Sequence, residues 1–185
     1  AAWRNPAGRS RVRIWDAGCA MGPEPYTVAM LMAENMGTFA FRNVEIHATD
    51  YDEPLLHTLQ EGTYPHDELK RIPEAFFRKY FEPLQDQSSQ YRVVARIRES
   101  IRTRHHDLLS FVPVRDNFSL VVCKNVLLHF QHPQRVEVIR MFHRALEPDG
   151  LLVTERTQKM PAEAGGLFQQ VYADAPLYRK LETAP

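Results

Sequence analysis

The chain has 185 residues, 44% of them hydrophobic, enough for one globular domain with a sizeable core. Its 23 Lys and Arg balance 23 Asp and Glu, so no global field draws it to nucleic acid or to an anionic membrane surface. No apolar run approaches the roughly 18 residues of a membrane span, no signal-peptide pattern opens the chain, and two cysteines are too few for a disulfide scaffold.

The elements then alternate. Arg11–Asp16 reads as a first strand, followed by the glycine-bearing turn Gly18–Gly22 and a helix over Pro25–Met36, with Pro near its first turn and Gly37 at its end. Val44–Thr49 is a second strand leading through Asp50-Tyr51-Asp52 into a short helix over Pro54–Gln60. A short helix over Glu74–Tyr80 precedes the polar turn 85–89. Tyr91–Ile97 alternates as a strand, and Ile101–His105 reads as a third core strand. Phe118–Cys123 is the near-continuous apolar run of a strand covered on both faces. Pro133–Leu146 is an amphipathic helix, Pro148-Asp149-Gly150 turns into a strand over Leu151–Thr154, and Phe168–Leu181 holds two further short strands. This βαβ alternation predicts an α/β fold with a mostly parallel, doubly wound sheet.

In such a sheet ligands sit beyond the carboxyl ends of the strands, at the switch point. Gly18-Cys19-Ala20-Met21-Gly22 lets a ligand approach the main chain, and the helix that follows offers free N–H groups to negative charge. Asp50 ends the second strand, where it can accept from ribose hydroxyls, and Asp107 follows the third, where it can accept from an exocyclic amine. A dinucleotide site calls for Gly-x-Gly-x-x-Gly with an acid about 20 positions on. Here the glycines are spaced Gly-x-x-x-Gly, Asp50 lies further along, and Pro23 and Glu24 suit a ligand ammonium better than a pyrophosphate. Ribose, adenine, ammonium and carboxylate together describe S-adenosylmethionine better than a nicotinamide dinucleotide.

The motifs GCAMGPEPYT (Gly18–Thr27), HATDYDEPLL (His47–Leu56), EGTY (Glu61–Tyr64), HDLLSF (His106–Phe111), LVVCKNVLLHF (Leu120–Phe130), ALEPDGLLV (Ala145–Val153) and LYRK (Leu177–Lys180) occur in that order. In them the chain resembles the CheR-type chemotaxis receptor methyltransferases. The resemblance implies a class I, Rossmann-like methyltransferase fold with a small β insertion over about 84–104, all within one methyltransferase domain over 1–185. It implies that the family's preceding helical domain lies outside this chain, with Ala1 as a boundary. The cofactor implied is S-adenosylmethionine, leaving as S-adenosylhomocysteine. The cofactor contacts implied are Ala17, Gly18, Gly22, Glu24, Asp50, Tyr51, Asp107, Leu108, Asn125 and Val126. Glu24 matches the acid at the methionine amino group, and Asp107-Leu108 the pair beside the adenine.

The departures bear on the acceptor. Ala20-Met21 replaces a Ser-Thr pair, Pro23 replaces a glutamate, and His129 replaces a tyrosine beside the reacting group. Lys124 replaces an arginine, exchanging a bidentate fork for a point charge. A glutamate acceptor, with a pKa of about 4.3, is ionised without any base and needs orienting groups instead. Lys124 and His129 are the catalytic candidates, with Arg98 and Arg102 for substrate binding. For a hydroxyl or amine acceptor, His129 can serve as base. Arg92, Arg96, Arg98, Arg102 and Arg104 share even positions, predicting one arginine face that either docks an acidic protein or is merely solvated. Cys19 and Cys123 read as buried small residues, and no ligand set for a metal is complete. Lys124-Asn125-Val126 stands where amino-methylating nucleic-acid enzymes carry a Pro-Pro motif, which argues against a nucleic-acid acceptor. The expectation is a cytoplasmic protein-glutamate O-methyltransferase acting on an acidic, receptor-like protein, with no membrane insertion. The alternatives are the same fold acting on another acceptor, or a module that senses the cofactor without turnover.

Overall fold

The computed structural model describes residues 11–85, 89–157 and 159–182. Strand β1 (Val12–Ala17) runs through the Gly18–Gly22 turn into helix α1 (Pro23–Phe41), and β2 (Val44–Asp50) runs into α2 (Glu53–Glu61). The chain then forms β3 (Thr63–Pro65), α3 (His66–Leu69), α4 (Glu74–Tyr80), β4 (Phe81–Pro83), β5 (Gln90–Val93) and α5 (Ala95–Arg98). After β6 (Ile101–His105) come β7 (Phe118–Val122), α6 (His132–Ala145), β8 (Leu146–Val153), β9 (Phe168–Tyr172) and β10 (Ala175–Lys180).

The main sheet has the order β6-β2-β1-β7-β8-β10-β9. Its first five strands are parallel, and β10 runs antiparallel between β8 and β9. Winding reverses between β1 and β7, so the carboxyl ends of those strands open a crevice there. Alternate residues face opposite sides. Ile14, Leu120 and Val122 join one apolar cluster with Tyr26, Leu56 and Leu59, while Trp15, Val121 and Cys123 join another with Val138, Met141 and Phe142. Trp15 packs edge-on to Phe142 at 5.3 Å and donates its indole N–H to Thr49 Oγ1 at 2.9 Å.

Local chemistry sets the helix ends. Asp52 accepts from the Leu55 N–H to start α2, and Gly62 ends it with φ 62°. Gln131 and Gln134 form a reciprocal capping box on α6. In α1 helical geometry breaks at Gly37 (φ 75°), where its end was expected, and then resumes to Phe41. Asp149 takes φ 59° within β8, so the expected Pro148-Asp149-Gly150 turn is an irregularity inside a longer strand.

The segment Tyr91–Ile97 is not one strand. It splits at Val94 into β5 and α5, because Val93 and Ile97, both fully buried, are four apart and share a face at either period. The small sheet has the order β3-β5-β4 and spans 63–93 rather than 84–104; Ile101–His105 belongs to the main sheet instead. The single arginine face dissolves with it. Arg92 bonds the Glu61 carbonyl, Arg96 lies over the Tyr80 ring and Arg104 bonds the Val114 carbonyl. The turn expected over 85–89 falls partly outside the described residues. Among those residues no helix is long and apolar enough to cross a membrane.

Candidate functional site

The turn after β1 is built on backbone that side chains resist. Gly18, Ala20 and Gly22 all have positive φ (88°, 47° and 100°). The Gly18 and Cys19 N–H groups donate to the Thr49 carbonyl at 2.8 and 3.0 Å, tying the turn to β2. Asp50 accepts from the Ala20 N–H through Oδ2 at 2.9 Å and from the Asp52 N–H through Oδ1 at 3.0 Å. A Cβ on Gly18 would stand 2.3 Å from Val126 Cγ2, so the turn lies directly against the loop after β7.

That loop is held from the segment that follows β8. Asn125 adopts φ 58°, and its N–H donates to Glu155 Oε2 at 2.9 Å. Lys124 reaches across to α1, where Nζ meets Glu24 Oε2 at 2.9 Å. This bond, outweighing burial, holds the lysine pKa above its usual value. Asp107 accepts from the Leu109 N–H at 2.8 Å and starts a single 3-10 turn over Leu108–Ser110.

Between these segments lies a cleft of about 770 Å³. Gly18, Glu24, Asp50, Tyr51, Asp107, Leu108, Lys124, Asn125, Val126 and His129, all singled out from sequence, line it together. Cys19, Ala20, Pro23, His106, Leu109 and Phe130 complete the wall. Ala17 and Gly22 stand behind it, Ala17 fully buried in β1 and Gly22 capping α1 against Leu59 and Tyr64. Arg98 and Arg102 do not reach it. Arg98 donates Nε to the Val93 carbonyl at 2.8 Å beside Gly62, drawn there because α5 replaces the expected strand. Arg102 lines a separate cavity of about 630 Å³ with Val44 and Ser100, at the amino ends of β2 and β6. Cys19 and Cys123 are buried free thiols whose pKa values burial pushes up, leaving both un-ionised.

Sequence reading passed over two buried groups behind the cleft. Asp16 is 1% exposed, and neither carboxyl oxygen has a hydrogen-bond partner among the described residues. Burial, then the Glu24 charge, pushes its pKa well above the carboxylate range. Glu155 is buried too, with Oε1 unpartnered. His106, half-buried on the cleft wall and edge-on to Trp15, has its pKa lowered chiefly by burial. A carboxyl inside the apolar run Ile14-Trp15-Asp16-Ala17 was the available signal for the first; Glu155 gave none.

An uncompensated buried carboxyl makes stability pH-dependent. Because the folded-state pKa of Asp16 is raised, the neutral form's contribution is whole below the unfolded value of about 3.9 and is lost as pH rises above it. Asp16→Asn is therefore expected to melt higher than the parent chain, by a margin that widens between pH 5 and pH 8. Thermal melts at three pH values check the trend.

Comparison with known proteins adds sequence relatives to this geometry. The family model described as "CheR methyltransferase, SAM binding domain" matches residues 2–175. A chemotaxis protein methyltransferase of Listeria monocytogenes is 31% identical over 159 residues, covering 85% of this chain and 58% of its own length. Proteins of the same name from Borreliella burgdorferi and Escherichia coli are 33% and 30% identical, covering 78% and 76% of this chain. They are covered over 51% and 49% of their length, so the chain spans about half of these relatives. Among solved structures, a TehB-like SAM-dependent methyltransferase from Corynebacterium glutamicum superposes with a TM-score of 0.52 at 16% identity, over 94% of this chain and 81% of its own. That likeness shows the fold.

Proposed function

The chain belongs to the CheR methyltransferase family as its S-adenosylmethionine-binding domain, and on that premise we propose that it methylates glutamate carboxylates of a chemoreceptor-like protein. Its fold is the class I, Rossmann-like methyltransferase fold. The observation that carries the proposal is the convergence of Glu24, Asp50, Asp107, Lys124 and Asn125 on one cleft at the switch point.

The residues present fit the cofactor. The cleft is of the size that encloses a nucleoside-bearing ligand. Asp16, with two unpartnered oxygens, sits behind an acid-rich wall that favours a cation such as the methionine ammonium, and Glu24 reaches the same place. Each Asp50 oxygen takes one backbone N–H and keeps a lone pair for a ribose hydroxyl. Asp107 keeps Oδ2 for the adenine amine, and Leu108, Leu109, Val126 and Phe130 supply apolar wall for the ring. When bound, the cofactor supplies a methyl group already activated on a sulfonium.

The chain's own work is then alignment and exclusion of water. An ionised acceptor carboxylate needs no base, so Lys124 and His129, both exposed on the cleft wall, hold its second oxygen and set its approach. Lys124 is engaged with Glu24, and would be free to orient the acceptor if Glu24 held the cofactor's ammonium instead.

Calorimetric titration with S-adenosylhomocysteine is expected to show one site per chain. Methyl transfer to acidic receptor peptides is expected to give a base-labile ester. A base-stable product rules out the carboxylate acceptor. Binding without transfer to any acceptor assigns the chain to cofactor sensing.

A further inference from the structure

We propose that Tyr64 is a positioning residue for the cofactor-binding turn, and that through it the small β3-β5-β4 sheet is part of the cofactor site; this rests on the cofactor assignment above. The Tyr64 hydroxyl, in the middle of β3, donates to the Met21 carbonyl at 2.7 Å across 43 residues of sequence. Met21 lies inside the Gly18–Gly22 turn. Its neighbour Ala20 is held from the other side by Asp50 Oδ2. The turn is thus gripped at successive residues, one donor arriving from the small sheet and one acceptor from the main sheet.

The grip matters because the turn does not hold its own shape. Ala20 is a non-glycine residue at φ 47°, a left-handed conformation that L side chains resist unless the surroundings impose it. Gly22 completes the fit, since a Cβ there would stand 3.1 Å from the Tyr64 hydroxyl and 2.3 Å from Leu59 Cδ1. Tyr64 has little freedom to move away. Its ring meets Tyr26 edge-on at 6.1 Å, and Tyr26 is itself fixed by a 2.6 Å bond to the Leu59 carbonyl. Burial raises the Tyr64 pKa, so the hydroxyl remains a donor throughout the working range.

Behind Tyr64 stands the rest of the small sheet. Tyr64 pairs with Tyr91 of β5, whose ring packs on His66 and Phe77, and the Val93 N–H donates to the Gly62 carbonyl at 2.9 Å. Displacing β5 moves β3, and displacing β3 moves the Met21 carbonyl. The coupling must also run in reverse: a ligand that fixes the turn steadies the sheet.

The test uses S-adenosylhomocysteine as probe. Tyr64→Phe removes only the hydroxyl and is expected to raise the dissociation constant roughly tenfold, the scale of one buried hydrogen bond. Tyr80→Phe loses a comparable hydroxyl bond, to Glu34 Oε1 at 2.6 Å, and lowers the melting temperature similarly, yet its dissociation constant is expected to stay within twofold of the parent's. In the parent chain the ligand is expected to slow amide exchange across 90–93, and in Tyr64→Phe that slowing is lost. Equal affinities for Tyr64→Phe and parent, or 90–93 exchange indifferent to ligand in the parent, overturn the proposal. A parent chain that fails to bind the probe overturns the cofactor assignment itself, before any variant is made.

Discussion

Asp50→Ala is expected to raise the dissociation constant for S-adenosylhomocysteine by about 100-fold or more. Two contributions add. Hydrogen bonds that a charged carboxylate accepts from two ribose hydroxyls are worth roughly 1.5–3 kcal/mol each, and about 1.4 kcal/mol is a factor of ten. The same side chain also holds the Ala20 and Asp52 N–H groups, so its removal loosens the turn and the start of α2 together. Asp50→Asn keeps one accepting oxygen but turns a donor toward one of those N–H groups, and should fall between parent and alanine. Calorimetry on the three proteins gives the order; an alanine variant within threefold of the parent removes Asp50 from the site.

Gly18→Ala carries the largest expected loss of stability. An L-residue at φ 88° is strained, and its Cβ would collide with Val126 Cγ2 at 2.3 Å. A left-handed residue costs about 1–2 kcal/mol and overpacking a tight contact about 1–3, together roughly 2–5 kcal/mol. For a chain of this size that lowers the melting temperature by about 5–15 °C. Because the strain sits between the turn and the Asn125–Val126 loop, cofactor affinity should fall with it. Gly166→Ala is the contrast: nothing lies within 4 Å of its Cβ position, and its melting temperature should match the parent's within error.

What could be read without coordinates, and what could not, divides by the range of the contacts involved. The glycine turn, the acids at the strand tips and the βαβ alternation are local, and ten of the residues singled out line one cleft. Val93 and Ile97 misled because a spacing of four satisfies both periodicities, and the even-numbered arginines followed that error. Arg98 and Arg102 lie away from the cleft: Arg98 because α5 replaces the expected strand, Arg102 because it stands toward the other end of a strand that was read correctly. Tyr64 and Glu155 act on Met21 and Asn125 from 43 and 30 residues away. Tyr64 stood in the EGTY motif with no role attached to it, and no local pattern marks Glu155.

The two apolar clusters have a consequence for how the fold answers a ligand. They are divided by alternate residues of the same strands, and the cleft draws Cys19 from one and Leu108, Val126 and Phe130 from the other. A ligand that binds this cleft and not the unfolded chain therefore ties the two faces of the sheet together, and raises the melting temperature with the logarithm of its concentration over its dissociation constant.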